Sequence, residues 1–430
     1  MPAAYQDNDQ LRQLLADQAQ EFAQRARGVH RTVLAHADDF MRSSQIVVVS
    51  GLRRCGKSTL QAQLADRYCP DKYYYINFDD ERWSGITAAD FPRIHEMLLT
   101  QFGERRYVLL DEVQNVPEWE RFVRRLHDQR YKVIVTGSNA ALLSQELGTR
   151  LTGRYHLLEL FPFSFAEYLQ WAKIDVDTSS SAERATTRTK ARLQRAAHQY
   201  LERGGIPSVL QSSETRIAAQ LYQDIIYRDI STRYAVQDIR RLKELALYLI
   251  SNVGRPISFN KLRGQLMLGS VNTIKNYVEY LESCWLFFTV NCFSHSVKQQ
   301  QIAAKRMYAI DTGMVQQVGF LTSRDVGWML ENCVYVQLRR DTSEIFYVKN
   351  ADATAVDFAV RAGRNIQTLV QACASLRDPA TRARELHALE SAMRTHKLRE
   401  GTIVTMNESE TIRAPAGRIH VCPLPEWLLR

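Results

Sequence analysis

Residues 47–60 read VVVSGLRRCGKSTL, and this stretch decides the fold. The run IVVVS, 46–50, is short, apolar and β-branched, the pattern of a buried strand. GLRRCGKST, from Gly51 to Thr59, then matches Gly-x4-Gly-Lys-Ser/Thr completely. Glycines let such a loop wrap tightly, so that the N–H groups of Gly51, Leu52, Arg53, Arg54, Cys55 and Gly56 can converge on phosphate oxygens. A helix opening at Gly56 or Lys57 adds its positive end. Lys57 is expected to reach terminal phosphates and Ser58 to place its hydroxyl on Mg²⁺, with Thr59 serving the loop–helix junction. The side chains of Arg53 and Arg54 are expected to point outward. A chance glycine turn is the alternative, and the strand directly before the loop argues against it.

A second apolar strand, YVLLDE at 107–112, ends in two acids. Asp111 at the strand end can hold the Mg²⁺ water shell, and Glu112 can polarise an attacking water. A protein that only held a nucleotide has no need of the second carboxylate, so these residues point to an ATPase. KYYYINFDDE (72–81) and YKVIVTGSN (131–139) read as further core strands. Alternation with helices at 57–68, 88–101 and 117–129 predicts a three-layer α/β sheet with its ligand at the carboxyl ends of the strands. Asn139, at one such end, is expected to contact the γ-phosphate or the water; its other reading is an N-cap for the AALLS helix. Hydrolysis commonly needs a cation on the developing phosphoryl charge, often from a neighbouring subunit. Arg150 and Arg154, in TRLTGRYHLLEL, are the candidates, against the plainer reading of a surface salt bridge.

These motifs resemble prokaryotic AAA+-like P-loop ATPases of the additional-strand, catalytic-glutamate class, in a family with an N-terminal ATPase domain and a C-terminal domain of unknown function. The resemblance rests on SGLRRCGKSTL, YVLLDEVQNVPEWE, VIVTGSNAALLS, TRLTGRY and LFPFSFAEYL. Further along, RGGIPSVL, YAIDTGM, LENCVYVQLRR and AVDFAV extend it over nearly the whole chain. It implies ATP binding and assembly into an oligomer, and no settled cellular task.

The chain's 430 residues suit two or three domains, and 45% hydrophobic with 24% charged residues belongs to an ordinary soluble protein. No apolar run approaches a membrane span, and the acidic N-terminus does not read as a secretory leader. Seven dispersed cysteines without metal-ligand spacing fit a reducing cytoplasm. The net charge of +9 permits DNA as a partner without demanding it.

LFPFSFAEYL, 160–169, is expected to pack its aromatics on the ATPase sheet, and the Ser/Thr-rich stretch 171–190 reads as a mobile insertion or linker. Helical periodicity resumes at about 191. Three helices then follow, at 241–254, at 257–266 with Ser258 as cap, and at 270–284, before the strand-like WLFFTV. That order predicts a winged helix. In the third helix Val271, Ile274, Val278 and Leu281 share a face, which leaves Asn272, Thr273, Lys275 and Asn276 exposed as candidate DNA contacts. Glu279 and Glu282 on the same helix count against that role. Lys261, Arg263, Lys298, Lys305 and Arg306 are nearby candidates for phosphate contacts.

From 325 onward the order helix, three strands, helix, strand resembles a restriction-endonuclease-like core. Glu331 and Asp357 match its first two acids, but the third element reads Gln371-Ala372-Cys373. Glutamine holds Mg²⁺ far more weakly than a carboxylate, and cysteine cannot replace a cationic lysine beside a nucleophilic water. The nuclease-like site is therefore expected to be inactive.

The expected organisation is an N-terminal helical segment (1–40), a P-loop ATPase domain (41–170), a linker (171–190), a helical segment (191–239), a winged helix (240–320) and an endonuclease-like domain (321–430). The expected function is an ATP-hydrolysing, Mg²⁺-dependent machine, a homo-oligomer bound to DNA in the cytoplasm. The alternative is an ATP-dependent signalling or defence switch that assembles with a protein partner and does not touch DNA.

Overall fold

The computed structural model describes residues 7–70, 72–139, 151, 153–175, 186–212, 214, 216–320 and 326–430. The chain forms two compact units, one of residues 1–161 with 283–285 and the other of 162–282 with 286–430.

In the first unit, β1 (Ile46–Gly51), β2 (Tyr73–Asn77), β3 (Tyr107–Asp111), β4 (Lys132–Gly137) and β5 (Tyr155–Leu160) form one sheet in the order β2-β3-β4-β1-β5. Every pairing is parallel. Strands covered on both faces need continuous apolar runs, and β1 and β4 are buried at every residue. β4 lies between β1 and β3, so the phosphate-loop strand and the Asp111 strand are not direct neighbours. The N-terminal helix Asn8–Gln24 belongs to this unit. Leu11, Leu14, Leu15 and Phe22 line one helical face and are buried, and Phe22 stacks on Tyr75 with ring centroids 3.9 Å apart. Residues 7–40 of the segment expected as a piece of its own, 1–40, thus belong with the ATPase-like unit.

The second unit carries β6 (Pro256–Ile257), β7 (Phe287–Cys292), β8 (Lys305–Ala309), β9 (Ile345–Lys349), β10 (Ala355–Ala362), β11 (Asn365–Ala372), β12 (Glu400–Thr405), β13 (Glu410–Ala414) and β14 (Gly417–Pro423). They make a single sheet ordered β13-β14-β12-β11-β10-β9-β7-β8-β6. The boundary expected at 320/321 therefore falls inside a continuous sheet: β7 pairs in parallel with β9 through Asn291↔Phe346 and Cys292↔Tyr347.

Local details depart from or add to the expectations. The helix expected from 191 begins at Thr187, where the Thr186 side chain accepts from the Thr189 N–H. Phe165 and Tyr168 meet Tyr200 of that helix, at ring-centroid distances of 5.6 and 5.2 Å. Ser258 occupies the N-cap position of the helix Phe259–Gln265 but makes no side-chain capping bond. β13, β14 and the closing helix Leu424–Trp427 were not anticipated.

RGGIPSVL and YAIDTGM meet in this unit. The Asp311 carboxylate accepts from the Gly205 N–H at 2.7 Å and from the Met314 N–H at 3.0 Å, capping the helix Thr312–Val318. Gly204 has φ +73°, and a Cβ there would lie 2.1 Å from Asp311 Oδ1. Gly204→Ala combines left-handed strain of about 1–2 kcal/mol with displacement of that fixed cap. Its melting temperature is expected to fall by several degrees in a thermal melt.

Candidate functional site

The first unit gathers its polar residues at the carboxyl ends of β1, β3 and β4. Gly56 adopts a left-handed turn, φ 98°, and the helix Lys57–Tyr68 starts directly after it. A Cβ on Gly51 would meet the Leu160 carbonyl oxygen at 2.2 Å, so only glycine fits that bend. The buried Arg31 guanidinium donates to the Cys55 carbonyl at 2.9 Å and the Phe161 carbonyl at 2.6 Å, which fixes the loop from outside. Trp285 donates its indole N–H to Ser50 Oγ at 3.1 Å, one residue before the loop. Arg54 is exposed and Arg53 half-buried, its guanidinium 4.0 Å from Asp79.

Lys57 is buried and folds back over the loop. Its ammonium donates to the carbonyls of Gly51 and Leu52, both at 3.3 Å, and lies 3.2 Å from Glu112 Oε1. Burial works against charge on both partners. Even so, the Lys57 ammonium holds the Glu112 carboxyl below its usual range, and Glu112 with its neighbours lifts Lys57 above its own. Both are therefore ionised at neutral pH. Gln114 also donates to Glu112.

Asp111 is buried beside them. Its carboxylate accepts from Tyr75 at 3.0 Å and from the hydroxyls of Thr136 and Ser58. Burial first, then the charge of Glu112, raise its carboxyl above the ordinary value, and the two hydroxyls pull it partly back. Thr136 Oγ1 also accepts from the Glu112 N–H at 3.0 Å, holding Glu112 in a left-handed conformation with φ 49°. Backbone strain of this kind persists where surrounding bonds impose it.

The residues present fit a phosphate anion with a divalent cation: a glycine cradle, a buried ammonium, a hydroxyl and two adjacent carboxylates, of which Asp111 is hydrogen-bonded by hydroxyl groups. Asn139 is fully buried just past β4, with Nδ2 4.0 Å from Cys284 Sγ. Arg150 and the AALLS helix lie outside the described residues.

Arg154 is in a different place. It precedes β5, whose residues 155–160 run parallel to 46–51 of β1. Six residue steps of about 3.3 Å, from Arg154 to Leu160 beside Gly51, set it about 20 Å back from the phosphate-loop end. There it pairs with Asp128 at 3.1 Å, both side chains being substantially exposed. A role on the chain's own phosphate site is excluded by that distance. Sequence reading missed Thr136, Tyr75 and Arg31, and only the threonine in VIVTGSN carried a signal, as a hydroxyl near a strand end.

In the second unit, Glu331, Asp357 and Gln371 come together. The new partner is Arg306, which sequence reading assigned to phosphate contact. It is buried, and a single nitrogen, Nη1, lies 3.1 Å from Glu331 and 2.9 Å from Asp357. Tyr308 donates to Glu331 at 2.6 Å. Gln371 accepts from the Asp357 N–H at 3.1 Å and donates to Glu385 at 2.6 Å. Cys373 stands apart, its thiol directed to the Ser375 carbonyl. Burial, then the charge of Asp357, push Glu331 up to about 8.

On the helix Val271–Ser283, Asn272, Lys275 and Asn276 are exposed and Thr273 half-buried. Glu282 turns inward and accepts from the Thr289 N–H at 2.6 Å, which leaves Glu279 as its exposed acid. Of the nearby bases, Lys261, Arg263 and Lys298 are exposed, while Lys305 is tied to the Gln300 carbonyl.

A family model described as an AAA domain matches residues 43–169, and one described as a domain of unknown function (DUF8612) matches 194–325. The uncharacterized protein MJ1544 of Methanocaldococcus jannaschii is 30% identical over 429 residues, spanning 95% of this chain and 93% of that protein. An uncharacterized protein of Haemophilus influenzae is 29% identical over 337 residues, 75% of this chain and 81% of its own length. The Aeropyrum pernix ORC1 protein, solved in complex with DNA, aligns at 13% identity and a TM-score of 0.29 over 67% of this chain and 92% of that chain, too low to bear on function. Among the described residues, no helix is long and apolar enough to cross a membrane. With its P-loop site in an AAA domain and the archaeal relative matched over nearly its full length, the chain belongs to the family of MJ1544.

Proposed function

We propose that this chain is an ATPase that hydrolyses Mg²⁺-ATP as a homo-oligomer and uses the turnover to act on DNA. The observation that carries the reading is the buried Lys57–Glu112 ion pair beside Asp111. Bound Mg²⁺ would supply Lewis-acid charge next to Ser58 and Asp111. The remaining work belongs to the chain's own residues. Gly51–Thr59 cradles the phosphates. Lys57 exchanges its carboxylate partner for phosphate oxygens, and that exchange frees Glu112 to take a proton from water. Glu112 thus stays engaged until Lys57 leaves it, which couples the base to occupancy. Asn139 orients the water or the terminal phosphate from the end of β4. Arg154 serves as a finger only in trans, on the site of a neighbouring copy.

The order helix, β6, helix, helix, β7, β8, with the short helix Val297–Ile302 joining β7 to β8 and β8 between β6 and β7, supports reading 239–309 as a winged helix. The exposed Asn272, Lys275 and Asn276 are its proposed DNA contacts. In the endonuclease-like part, Arg306 sits between the two acids, so we assign that site no hydrolysis of phosphodiesters.

The test is phosphate release by the purified protein, alone and with single-stranded, duplex and branched DNA. Turnover stimulated by one DNA form supports the reading. Turnover indifferent to every DNA, with nucleotide-dependent assembly, transfers it to a protein-directed switch. Lys57→Ala is expected to reduce ATP affinity at least tenfold and to abolish turnover, checked by calorimetric titration.

A further inference from the structure

The end of the first sheet opposite the phosphate loop carries a second concentration of positive charge. Residues 41–44 lead into β1, Arg106 and Tyr107 into β3, and Arg130 and Tyr131 into β4, and together they border a cavity of about 570 Å³. Arg42, Arg106 and Arg130 are exposed, and none has a carboxylate within 4.0 Å among the described residues. The carboxylate on this cavity, Asp128, is already shared by Arg154 at 3.1 Å and Arg124 at 3.9 Å.

Lys132 has a different duty. Its buried ammonium donates to the carbonyls of Phe40, Ser43 and Gln45 at 2.6–2.8 Å, so it holds the turn that presents Arg42 and is not offered to a ligand. The walls include Tyr107 and Tyr131, both half-buried, with the Arg106 guanidinium 5.7 Å from the Tyr107 ring centre.

We infer that this cleft binds single-stranded nucleic acid, with backbone phosphates on Arg42, Arg106 and Arg130 and a base against the tyrosine wall. The sheet order places the entrances of β3, β4 and β1 side by side. At about 4.8 Å per strand the three strand entrances that these arginines precede spread over about 10 Å, wider than one phosphate and suited to successive phosphates of a chain. Guanidinium forks match phosphate oxygens, and aromatic faces stack bases without regard to sequence. The inference rests on the nucleic-acid reading above but places a contact on the ATPase-like unit itself, away from the helix 271–283.

The experiment is fluorescence anisotropy of a labelled oligo-dT with the full chain across a salt series. Arg106→Glu/Arg130→Glu is expected to weaken binding at least tenfold and to reduce the log–log salt slope by about 1.4, two phosphate contacts at ~0.7 each. Basal ATP turnover without nucleic acid is expected to be unchanged, because Arg106 and Arg130 lie at the opposite end of the sheet from the chain's own phosphate site and neither is the proposed trans finger, Arg154. If the double glutamate variant does not fold, Arg106→Gln/Arg130→Gln is expected to show the same direction with a smaller loss. Affinity equal to wild type, or lost only in Lys275→Glu, places the contact elsewhere and overturns the inference while leaving the DNA reading intact. No binding by the wild type overturns both. Binding lost in the variant by a protein without ATP turnover sustains the cleft and removes the ATPase reading.

Discussion

Glu112→Gln is expected to keep ATP bound while turnover falls by about 10²–10⁴-fold, the usual weight of a positioned general base. The amide has the size of the carboxylate and keeps the acceptor that Lys57 and Gln114 approach, so the left-handed turn at Glu112 has no reason to change. The charge does change. Lys57 is paired with Glu112 at 3.2 Å, and a phosphate must compete with that pair for the ammonium. Removing the competing charge is therefore expected to leave ATP affinity equal to wild type or tighter. Calorimetric titration of Mg²⁺-ATP beside a phosphate-release assay reads both quantities. A variant that binds no ATP, or turns it over at the wild-type rate, would falsify the role given to Glu112.

The second large effect belongs to Arg306. Arg306→Met leaves Glu331 and Asp357 buried without their shared cation, and breaking a buried pair from one side costs about 3–5 kcal/mol. Replacing all the charged partners together, Arg306→Met with Glu331→Gln and Asp357→Asn, is expected to recover most of that loss, because no uncompensated charge remains. Hydrogen exchange at β8 and β10 is the suitable readout, since it reports this part of a two-unit chain directly. The pH dependence has a definite sign. Glu331 holds its proton up to about 8 when folded, against an ordinary value of 4.5. Between those values the folded state binds the extra proton, so stability falls as pH rises toward 8 and levels off above it. Unchanged exchange in Arg306→Met would show that the guanidinium is not what holds the two buried acids in place.

The phosphate loop and the acid strand were legible in the sequence because their patterns are contiguous: a strand, a tight turn and a helix start occupy adjacent positions in one, and an apolar run ending in two acids makes the other. The bonds that hold them were not. Thr136 reaches Asp111 and the Glu112 N–H from another strand, and Arg31 arrives from a segment with no motif of its own. Arg154 shows a different limit. Its neighbourhood to an apolar strand was visible, but which end of the sheet it occupies depends on β5 running parallel to β1. Arg306 looked like a surface base in KRMYA, yet Arg306 and Tyr308 alternate onto one face of β8 and meet Glu331 there. A charged residue two places from a tyrosine carries no local sign of the acid it will face.

The parallel pairing of β7 with β9 has a practical consequence for dissecting this protein. A chain cut near residue 320 leaves each fragment with a bared strand: β7 loses the neighbour at Phe346 and Tyr347, and β9 loses Asn291 and Cys292. Open edges of that kind template association between molecules. The DUF8612 match ends at 325, between the two strands, and a fragment trimmed to it inherits the same defect. Recombinant pieces that respect the sheet must keep residues 256–430 together, from β6 through β14, and a soluble fragment ending at 320 is the product least to be expected from this fold.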